Sequence, residues 1–161
     1  MNKEGRKERL DALLKIQKQK KKEEEEKRQI TELLEVFPNK ENLVVLRKEE
    51  WLKMEDTLIQ SFPVASWGRI DWDKIDNKIE LRSNDYIMIE SILKEKGLNI
   101  LEPVYFFFGD GPSPWLKTSL LKIFESLEDI TWYKGDRYIY CDSPKFIIEF
   151  FHDDKITIGW Y

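Results

Sequence analysis

The chain has 161 residues, of which 41% are hydrophobic and 36% are charged, so it can fill the core of one ordinary domain. Its single cysteine, Cys141, excludes an internal disulfide framework and a cysteine-ligated zinc site, which suits a reducing cytoplasm. No apolar run approaches the roughly 20 residues of a membrane-spanning helix, and no apolar core follows the basic N-terminal residues, so we expect neither a membrane span nor a signal peptide.

The formal net charge of −4 hides an uneven distribution. Residues 1–38 carry 11 Lys and Arg against 9 Asp and Glu, a net of +2, whereas residues 39–161 carry 16 against 22, a net of −6. A folded part with this charge attracts basic proteins and does not attract nucleic acid. The charge therefore favours a protein partner for the acidic part of the chain.

The first 35 residues predict a charged helical extension. Residues 6–22 are strongly basic, residues 23–26 are consecutive glutamates, and Lys, Glu, Gln and Leu all favour helix. The apolar residues before Ile30 that could form a stripe are Leu10, Leu13, Leu14 and Ile16. They bury little surface, so we expect a solvated, partly frayed helix or a disordered lead-in. Residues 36–161 then form a single domain.

Between residues 30 and 101, apolar residues recur either at spacing three and four or in a period of two. The first pattern predicts helix and the second predicts strand. The predicted helices are Ile30–Phe37, Lys48–Phe62 and Asp85–Lys96, the last ended by Gly97. The segment Ser66–Trp72 predicts a half-buried strand, Lys78–Leu81 extends a partner strand, and Leu43–Leu46 fits a strand or a helix entry.

The stretch from Leu101 to the C-terminus predicts most of the sheet. The expected order is strand Pro103–Phe108, turn Gly109–Pro114, helix Trp115–Leu127 capped by Ser113, strand Ile130–Tyr133 leading into Arg137–Cys141, then strands Phe146–Phe151 and Lys155–Tyr161. Val104 to Phe108 is continuously apolar, as in a central strand covered on both faces. Helices come first and strands last, so the fold class is α+β: a mainly antiparallel sheet backed by helices, with a charged N-terminal helical extension.

Candidate catalytic groups are few. His152 is the single histidine and Cys141 the single cysteine, so they offer no metal pair and no well-placed nucleophile and base. The segment Gly109-Asp110-Gly111 lacks the lysine of a P-loop and the third glycine of a dinucleotide motif. Asp71 with Glu80 leaves a small metal-dependent hydrolase as an alternative, without the lysine that usually follows the second carboxylate. We expect no enzyme activity, no cofactor and no bound metal.

Several segments together follow a pattern that we associate with one family. They are Ser66-Trp67-Gly68-Arg69-Ile70-Asp71-Trp72, Gly109-Asp110-Gly111, Pro114-Trp115-Leu116-Lys117-Thr118, Leu121, Leu127-Glu128-Asp129-Ile130, Phe146-Ile147-Ile148-Glu149-Phe150 and Lys155-Ile156-Thr157-Ile158-Gly159. This pattern, over about residues 40–161, resembles the immunity proteins of bacterial contact-dependent growth inhibition systems. The resemblance implies a small cytoplasmic protein without catalytic activity, whose partner is the C-terminal toxin domain of a polymorphic toxin, often a nuclease.

A functional hypothesis follows from charge and resemblance together. A nuclease site is basic because it binds phosphates, and an acidic domain can occupy it as a phosphate mimic. The predicted partner contacts are Trp67, Arg69, Asp71, Asp73, Asp110, Trp115, Glu128 and Asp129, since Trp and Arg are enriched at interfaces. The alternative is a nucleic-acid- or protein-binding adaptor that acts through the basic N-terminal arm. Neither hypothesis predicts a membrane partner.

Overall fold

The computed structural model describes residues 3–161 and has an α+β fold, which confirms the predicted class. The helices are α1 (Lys3–Glu35), α2 (Lys48–Ser61), α3 (Met88–Glu95), α4 (Leu120–Glu125) and α5 (Leu127–Trp132). The strands are β1 (Val44–Val45), β2 (Lys78–Arg82), β3 (Pro103–Phe108), β4 (Leu116–Ser119), β5 (Arg137–Cys141), β6 (Phe146–Phe151) and β7 (Lys155–Trp160). Within the described residues the strands form one sheet in the order β1-β4-β3-β5-β6-β7-β2, and every neighbouring pair is antiparallel.

Helices and loops cover the sheet on both faces, because side chains alternate along each strand. The first face packs against α3, α4, α5 and the end of α1, through Val104, Phe106, Ile139, Ile148, Phe150 and Ile158 of the sheet and Leu33, Leu93, Leu120, Ile123 and Ile130 of the helices. The second face packs against α2 and residues 62–75, through Phe107, Tyr138, Tyr140, Ile147, Trp51, Leu58, Phe62, Ile70 and Ile75. The continuous apolar run of β3 is thereby explained, since both of its faces are buried.

Helix α1 is continuous over 33 residues, which makes it about 50 Å long. Every residue from 3 to 28 is exposed, and the helix reaches the core only at its end, where Leu33 is buried next to Val36 and Phe37. The predicted helical extension is therefore present, although its first two residues lie outside the described part of the chain. The division of the chain at residue 35 stays a prediction. None of the described helices combines the length and hydropathy needed to cross a membrane.

The predicted helix Trp115–Leu127 is wrong in its first half. Residues Leu116–Ser119 form β4, which pairs with β3 from Ser119 opposite Pro103 to Leu116 opposite Phe106. The helix begins after Ser119, whose Oγ accepts a hydrogen bond from the backbone N–H of Lys122 at 3.2 Å. Ser119 is thus the cap that we assigned to Ser113, and it marks the change from strand to helix.

Two predicted strands are also wrong. Ile130–Tyr133 overlaps the end of α5, which buries Ile130 against the first face, so the segment is helical. Ser66–Trp72 is a tight turn joined by one isolated bridge between Val64 and Ile70. The strand predicted to pair with Ser66–Trp72 exists as β2, but it pairs with β7 and forms one edge of the sheet.

Candidate partner-binding surface

A tight turn on the second face of the sheet presents an exposed tryptophan. We call this segment, residues 63–71, the Trp67 turn. Within it, the backbone N–H of Ala65 donates to the carbonyl of Arg69 at 2.7 Å. Gly68 has a φ of +86°, a conformation that favours glycine. Trp67 lies at the tip and is 74% exposed. Because backbone hydrogen bonds close the turn, the backbone at its tip is fixed and Trp67 is exposed to solvent before any partner binds.

A buried ion pair lies beneath the Trp67 turn. Nη2 of Arg69 donates to Oε1 of Glu149 at 2.6 Å, and the hydroxyl of Tyr138 donates to Oε2 at 2.7 Å. Glu149 is 1% exposed in the middle of β6, directly opposite Tyr138 of β5. The guanidinium carbon of Arg69 also lies 3.8 Å from the ring centroid of Phe151, a cation–π contact. We call Arg69, Tyr138 and Glu149 the Glu149 network, which ties the base of the turn to the central strands.

The pKa shifts in the Glu149 network keep its donors protonated. Burial raises the pKa of Tyr138, and the charge of Glu149 raises it further, so the hydroxyl remains a donor. Burial by itself would lower the pKa of Arg69, but the hydrogen bond and charge of Glu149 outweigh burial and raise it. Nε of Arg69 has no hydrogen-bond partner among the described residues. The carboxylate therefore accepts from two fixed donors over the physiological pH range.

A glycine loop, residues 109–114, lies beside the Trp67 turn. A Cβ on Gly109 would lie 2.6 Å from Cε2 of Tyr138, so only glycine lets the backbone pass over this ring. Below the loop, Phe107 stacks on Trp115 with ring centroids 3.9 Å apart and on Tyr138 at 5.3 Å. The loop therefore rests on a rigid aromatic stack that continues into the Glu149 network.

The Trp67 turn, the glycine loop and α2 enclose a cleft of about 370 Å³. Its lining is mostly apolar and includes Leu58, Ile59, Val64, Trp67, Phe107 and Pro112. Glu55 lies in the same lining, and burial followed by the charge of Asp56 raises the pKa of its carboxyl. An apolar cleft next to an exposed indole suits an apolar or aromatic side chain of another protein. We call the turn, the loop and this cleft the Trp67 surface.

A second, more acidic cleft of about 740 Å³ lies between α1 and the end of α5. Its charged lining residues are Glu25, Arg28, Glu32, Glu35, Asp110 and Lys134. Arg28 is already paired with Glu25 and Glu32, each at 2.5 Å, so carboxylates outnumber cations there. Trp132 lines this cleft and is 53% exposed. The chain thus has a second exposed tryptophan, in a cleft whose lining shares Phe108 and Ser113 with the cleft beside Trp67.

The structure divides the eight predicted contact residues between the two faces of the sheet. Four of them lie over the second face: Trp67, Arg69, Asp71 and Asp73. Two others, Glu128 and Asp129, lie in the first turn of α5 over the first face. Asp110 lies in the glycine loop, and Trp115 is buried at 3% exposure. Of the eight, Trp67 and Trp115 line the cleft beside the Trp67 turn, whereas Asp110 lines the more acidic cleft although its loop borders both. Contact between these residues and a partner stays a prediction.

The single cysteine and the single histidine differ in environment. Cys141 is 1% exposed, and burial raises the pKa of its thiol to about 11, so it is a neutral thiol at physiological pH. His152 is exposed, and its Nδ1 lies 2.8 Å from Oδ1 of Asp136. The hydrogen bond to Asp136 raises the pKa of His152.

The carboxylates of the alternative metal site are each paired with a lysine. Asp71 lies 3.1 Å from Nζ of Lys74, and Glu80 lies 3.0 Å from Nζ of Lys155. Among residues 3–161, no group of three or more His, Cys, Asp or Glu side chains is arranged to hold a metal ion. The arrangement of these side chains therefore gives no support to the hydrolase alternative.

Sequence reasoning missed Glu149 and Tyr138 as the residues that pair with the base of the Trp67 turn. Glu149 interrupts the apolar run Phe146–Phe151, and a charge in a central strand must be paired if it is buried. That signal was readable from the sequence. The pairing of Glu149 with Arg69 could not be predicted from the sequence, because the two residues are 80 positions apart and meet only in the folded chain.

The comparisons with known proteins point to one family. A family model described as "CdiI immunity protein EcoliA0-like" matches residues 30–159 of the chain. The match includes the Trp67 surface and all of the sheet except its last residue, Trp160, and it begins near the end of α1. A comparison with curated proteins finds no match.

Proposed function

Because the chain belongs to the CdiI immunity protein family, whose members neutralise toxins, we propose that it binds a basic nuclease toxin and blocks its active site. In this proposal the chain acts in the cytoplasm, by contact alone and without catalysis. The family match supports the immunity function. The nuclease partner and the mode of inhibition rest on the charge of the chain.

The acidic body supports a basic partner. Residues 39–161 carry a net charge of −6, so they attract a protein whose active site is positive enough to bind phosphates. Opposite charge speeds association but adds little to the lifetime of a complex. The exposed carboxylates, such as Asp73, Asp110, Glu128 and Asp129, therefore direct the toxin toward the chain, and a separate anchor has to hold it.

The exposed indole of Trp67 on its hydrogen-bonded turn is the observation that best supports a contact site. Interface energy is concentrated in a few buried side chains, and tryptophan is the residue most enriched among them. A turn whose backbone is already fixed loses little conformational entropy when it binds, so only the side chain of Trp67 has to be ordered. We assign the anchor to Trp67, with Asp110 and the apolar cleft beside it and Arg69 as the residue that positions the turn.

Substituting the two exposed tryptophans one at a time tests this assignment. The partner for the test is the toxin domain encoded next to this chain, and binding is measured by titration calorimetry. We expect Trp67→Ala to weaken binding by about 30-fold or more, the loss typical of an interface hot spot. Trp132→Ala is the matched control, since it removes an exposed indole from the other cleft, and we expect less than about threefold there.

The possible outcomes distinguish an error in the proposed function from an error in the proposed contact surface. If the two folded proteins do not associate at micromolar concentration, the immunity proposal for that toxin is wrong. If they associate and only Trp132→Ala weakens the complex, the function stands and the contact surface is wrong. A nuclease assay on RNA and DNA, with and without this chain, then decides whether binding blocks the active site. A toxin without nuclease activity would refute the assigned class of partner.

A further inference from the structure

The first 20 residues of α1 contribute neither to the core of the fold nor to the proposed function. This segment, residues 3–22 and here called the arm, lies outside the family match and is exposed along its whole length. Four aliphatic side chains remain in water there, namely Leu10, Leu13, Leu14 and Ile16, with exposures of 57%, 53%, 46% and 53%. Aliphatic side chains grouped within seven residues of an otherwise charged helix indicate a surface that another body covers.

Helical geometry places these aliphatic residues on one side of the arm. At 3.6 residues per turn, one half of the helix circumference, here called the basic face, holds Lys3, Arg6, Lys7, Arg9, Leu10, Leu13, Leu14, Ile16, Gln17, Lys20 and Lys21. The other half holds Glu4, Gly5, Glu8, Asp11, Ala12, Lys15, Lys18, Gln19 and Lys22. The basic face thus has six cations and no carboxylate, whereas the charges of the other face cancel. All of the net charge of the arm lies on its aliphatic side.

We propose that the basic face of the arm lies on a lipid bilayer that contains anionic lipid. A helix of this kind binds in the plane of the interface, with its aliphatic side chains at the acyl boundary and its cations at the headgroups. Lys and Arg can lay their methylene stems along an apolar surface while their charges reach the headgroups. The sequence predicted no membrane partner because it has no membrane span, but a helix that lies on a surface does not need one.

The glutamates after the arm set the limit of the contact. Glu23 to Glu26 follow Lys22 directly, and an anionic surface repels them. The body that follows, residues 39–161, carries a net charge of −6 and is repelled in the same way. The contact is therefore confined to residues 3–22, and the bilayer holds the chain by one end.

Two other partners fit the arm less well. Nucleic acid attracts the cations, but phosphate contacts leave the aliphatic side chains in water. A second copy of the arm would bring two basic faces together, so six cations on each would repel one another. An anionic bilayer complements both the charge and the aliphatic groups of this face.

Removing equal charge from opposite sides of the arm tests the proposal. The full chain is floated with phosphatidylcholine vesicles that contain phosphatidylglycerol and, separately, with phosphatidylcholine vesicles, near 0.1 M salt. One variant carries Arg9→Gln, Lys20→Gln and Lys21→Gln on the basic face, and its control carries Lys15→Gln, Lys18→Gln and Lys22→Gln on the other face. Circular dichroism checks that both keep the helix.

The expected effects differ because cations on the other face lie about one helix diameter farther from the bilayer. That distance is about one Debye length at this salt, so their attraction to the bilayer is screened. The basic-face variant should bind the anionic vesicles about 100-fold more weakly than the unmodified chain, and the control no more than about tenfold more weakly. A third variant, Leu10→Ser with Leu13→Ser, should also lose vesicle binding. Phosphatidylcholine vesicles without anionic lipid should bind the unmodified chain weakly.

Several results would overturn the proposal. They include no binding of the unmodified chain to the anionic vesicles, or equal losses in the two charge variants. Binding to a DNA or RNA duplex that the leucine substitutions do not change, without binding to vesicles, would assign the arm to nucleic acid. Arm-dependent self-association in analytical ultracentrifugation, again without vesicle binding, would assign it to a second copy of the chain.

Discussion

Replacing Glu149 by alanine tests whether a buried charge holds the Trp67 turn. The change removes the acceptor of two hydrogen bonds, one from Arg69 at 2.6 Å and one from Tyr138 at 2.7 Å. Loss of one partner from a buried ion pair costs about 3–5 kcal/mol. Arg69 is 33% exposed and can be hydrated again, which favours the lower end, whereas Tyr138 is 5% exposed and its hydroxyl would lose its acceptor. We expect the free energy of unfolding to fall by about 3 kcal/mol.

Urea unfolding followed by circular dichroism measures this loss. A double-mutant cycle with Arg69→Met isolates the pairwise interaction, for which we expect a coupling energy of about 1–3 kcal/mol. Glu80→Ala is the matched control, because Glu80 is paired with Lys155 at 3.0 Å on the neighbouring strands while both side chains are about half exposed. An exposed pair contributes at most about 1 kcal/mol, so the control should change stability little.

Two results would refute the reasoning about the Glu149 network. One is a loss in Glu149→Ala no larger than the loss in Glu80→Ala, which would mean that burial adds nothing to the pair. The other is a coupling energy near zero between Arg69 and Glu149. Either result would leave the Trp67 turn fixed by its own backbone hydrogen bonds and by the contact of Arg69 with Phe151.

Two further predictions concern single residues near this surface. Gly109→Ala places a Cβ 2.6 Å from the ring of Tyr138, so we expect a loss of about 1–3 kcal/mol in urea unfolding, whereas Gly5→Ala in the exposed helix meets nothing within 4 Å and should cost nothing. The hydrogen bond to Asp136 raises the pKa of His152 above the ordinary histidine value of about 6.5. The stability that this pair adds is therefore fully present below pH ~6.5 and is lost as the pH rises through the raised pKa. NMR titration should show that Asp136→Asn returns the pKa of His152 toward its ordinary value, and an unchanged pKa would contradict the contact.

Much of the sheet could be predicted from the sequence because its strands carry their own signal. β3 is apolar on both faces, and β5, β6 and β7 are consecutive strands joined by short links, so neighbours in sequence are neighbours in the sheet. α2 and α3 likewise follow from apolar residues at helical spacing. Where strands that are neighbours in sequence pair, or where a helix buries one side, the spacing of the apolar residues was enough to predict the element.

The failures occur where distant contacts decide the local structure. Residues 115–124 have apolar side chains at spacings that fit a helix, yet Leu116–Ser119 is held as a strand between β3 and β1. β1 lies about 70 residues earlier in the chain, and its two residues are too short a run to distinguish a strand from a helix entry or to indicate their partner. For the candidate site, the exposure of Trp67 could not be predicted, because an alternating pattern does not distinguish a strand from a turn that Gly68 closes.

The arm illustrates why an element that adds nothing to the core needs a separate explanation. Its helix is supported by helix propensity, and the ion pairs that the structure shows in α1, those of Arg28 with Glu25 and Glu32, lie beyond the arm and contribute only about 0.2–0.5 kcal/mol each. The core holds the helix at one end through Leu33, about ten residues beyond the arm. Opposite charges on the arm and the body, about +6 and −6, would also draw a flexible arm onto the body, whereas a continuous helix keeps them apart. The exposed aliphatic side chains of such an extended helix add to its stability only when an external surface covers them. That requirement connects the shape of the chain to the anionic bilayer proposed for its basic face.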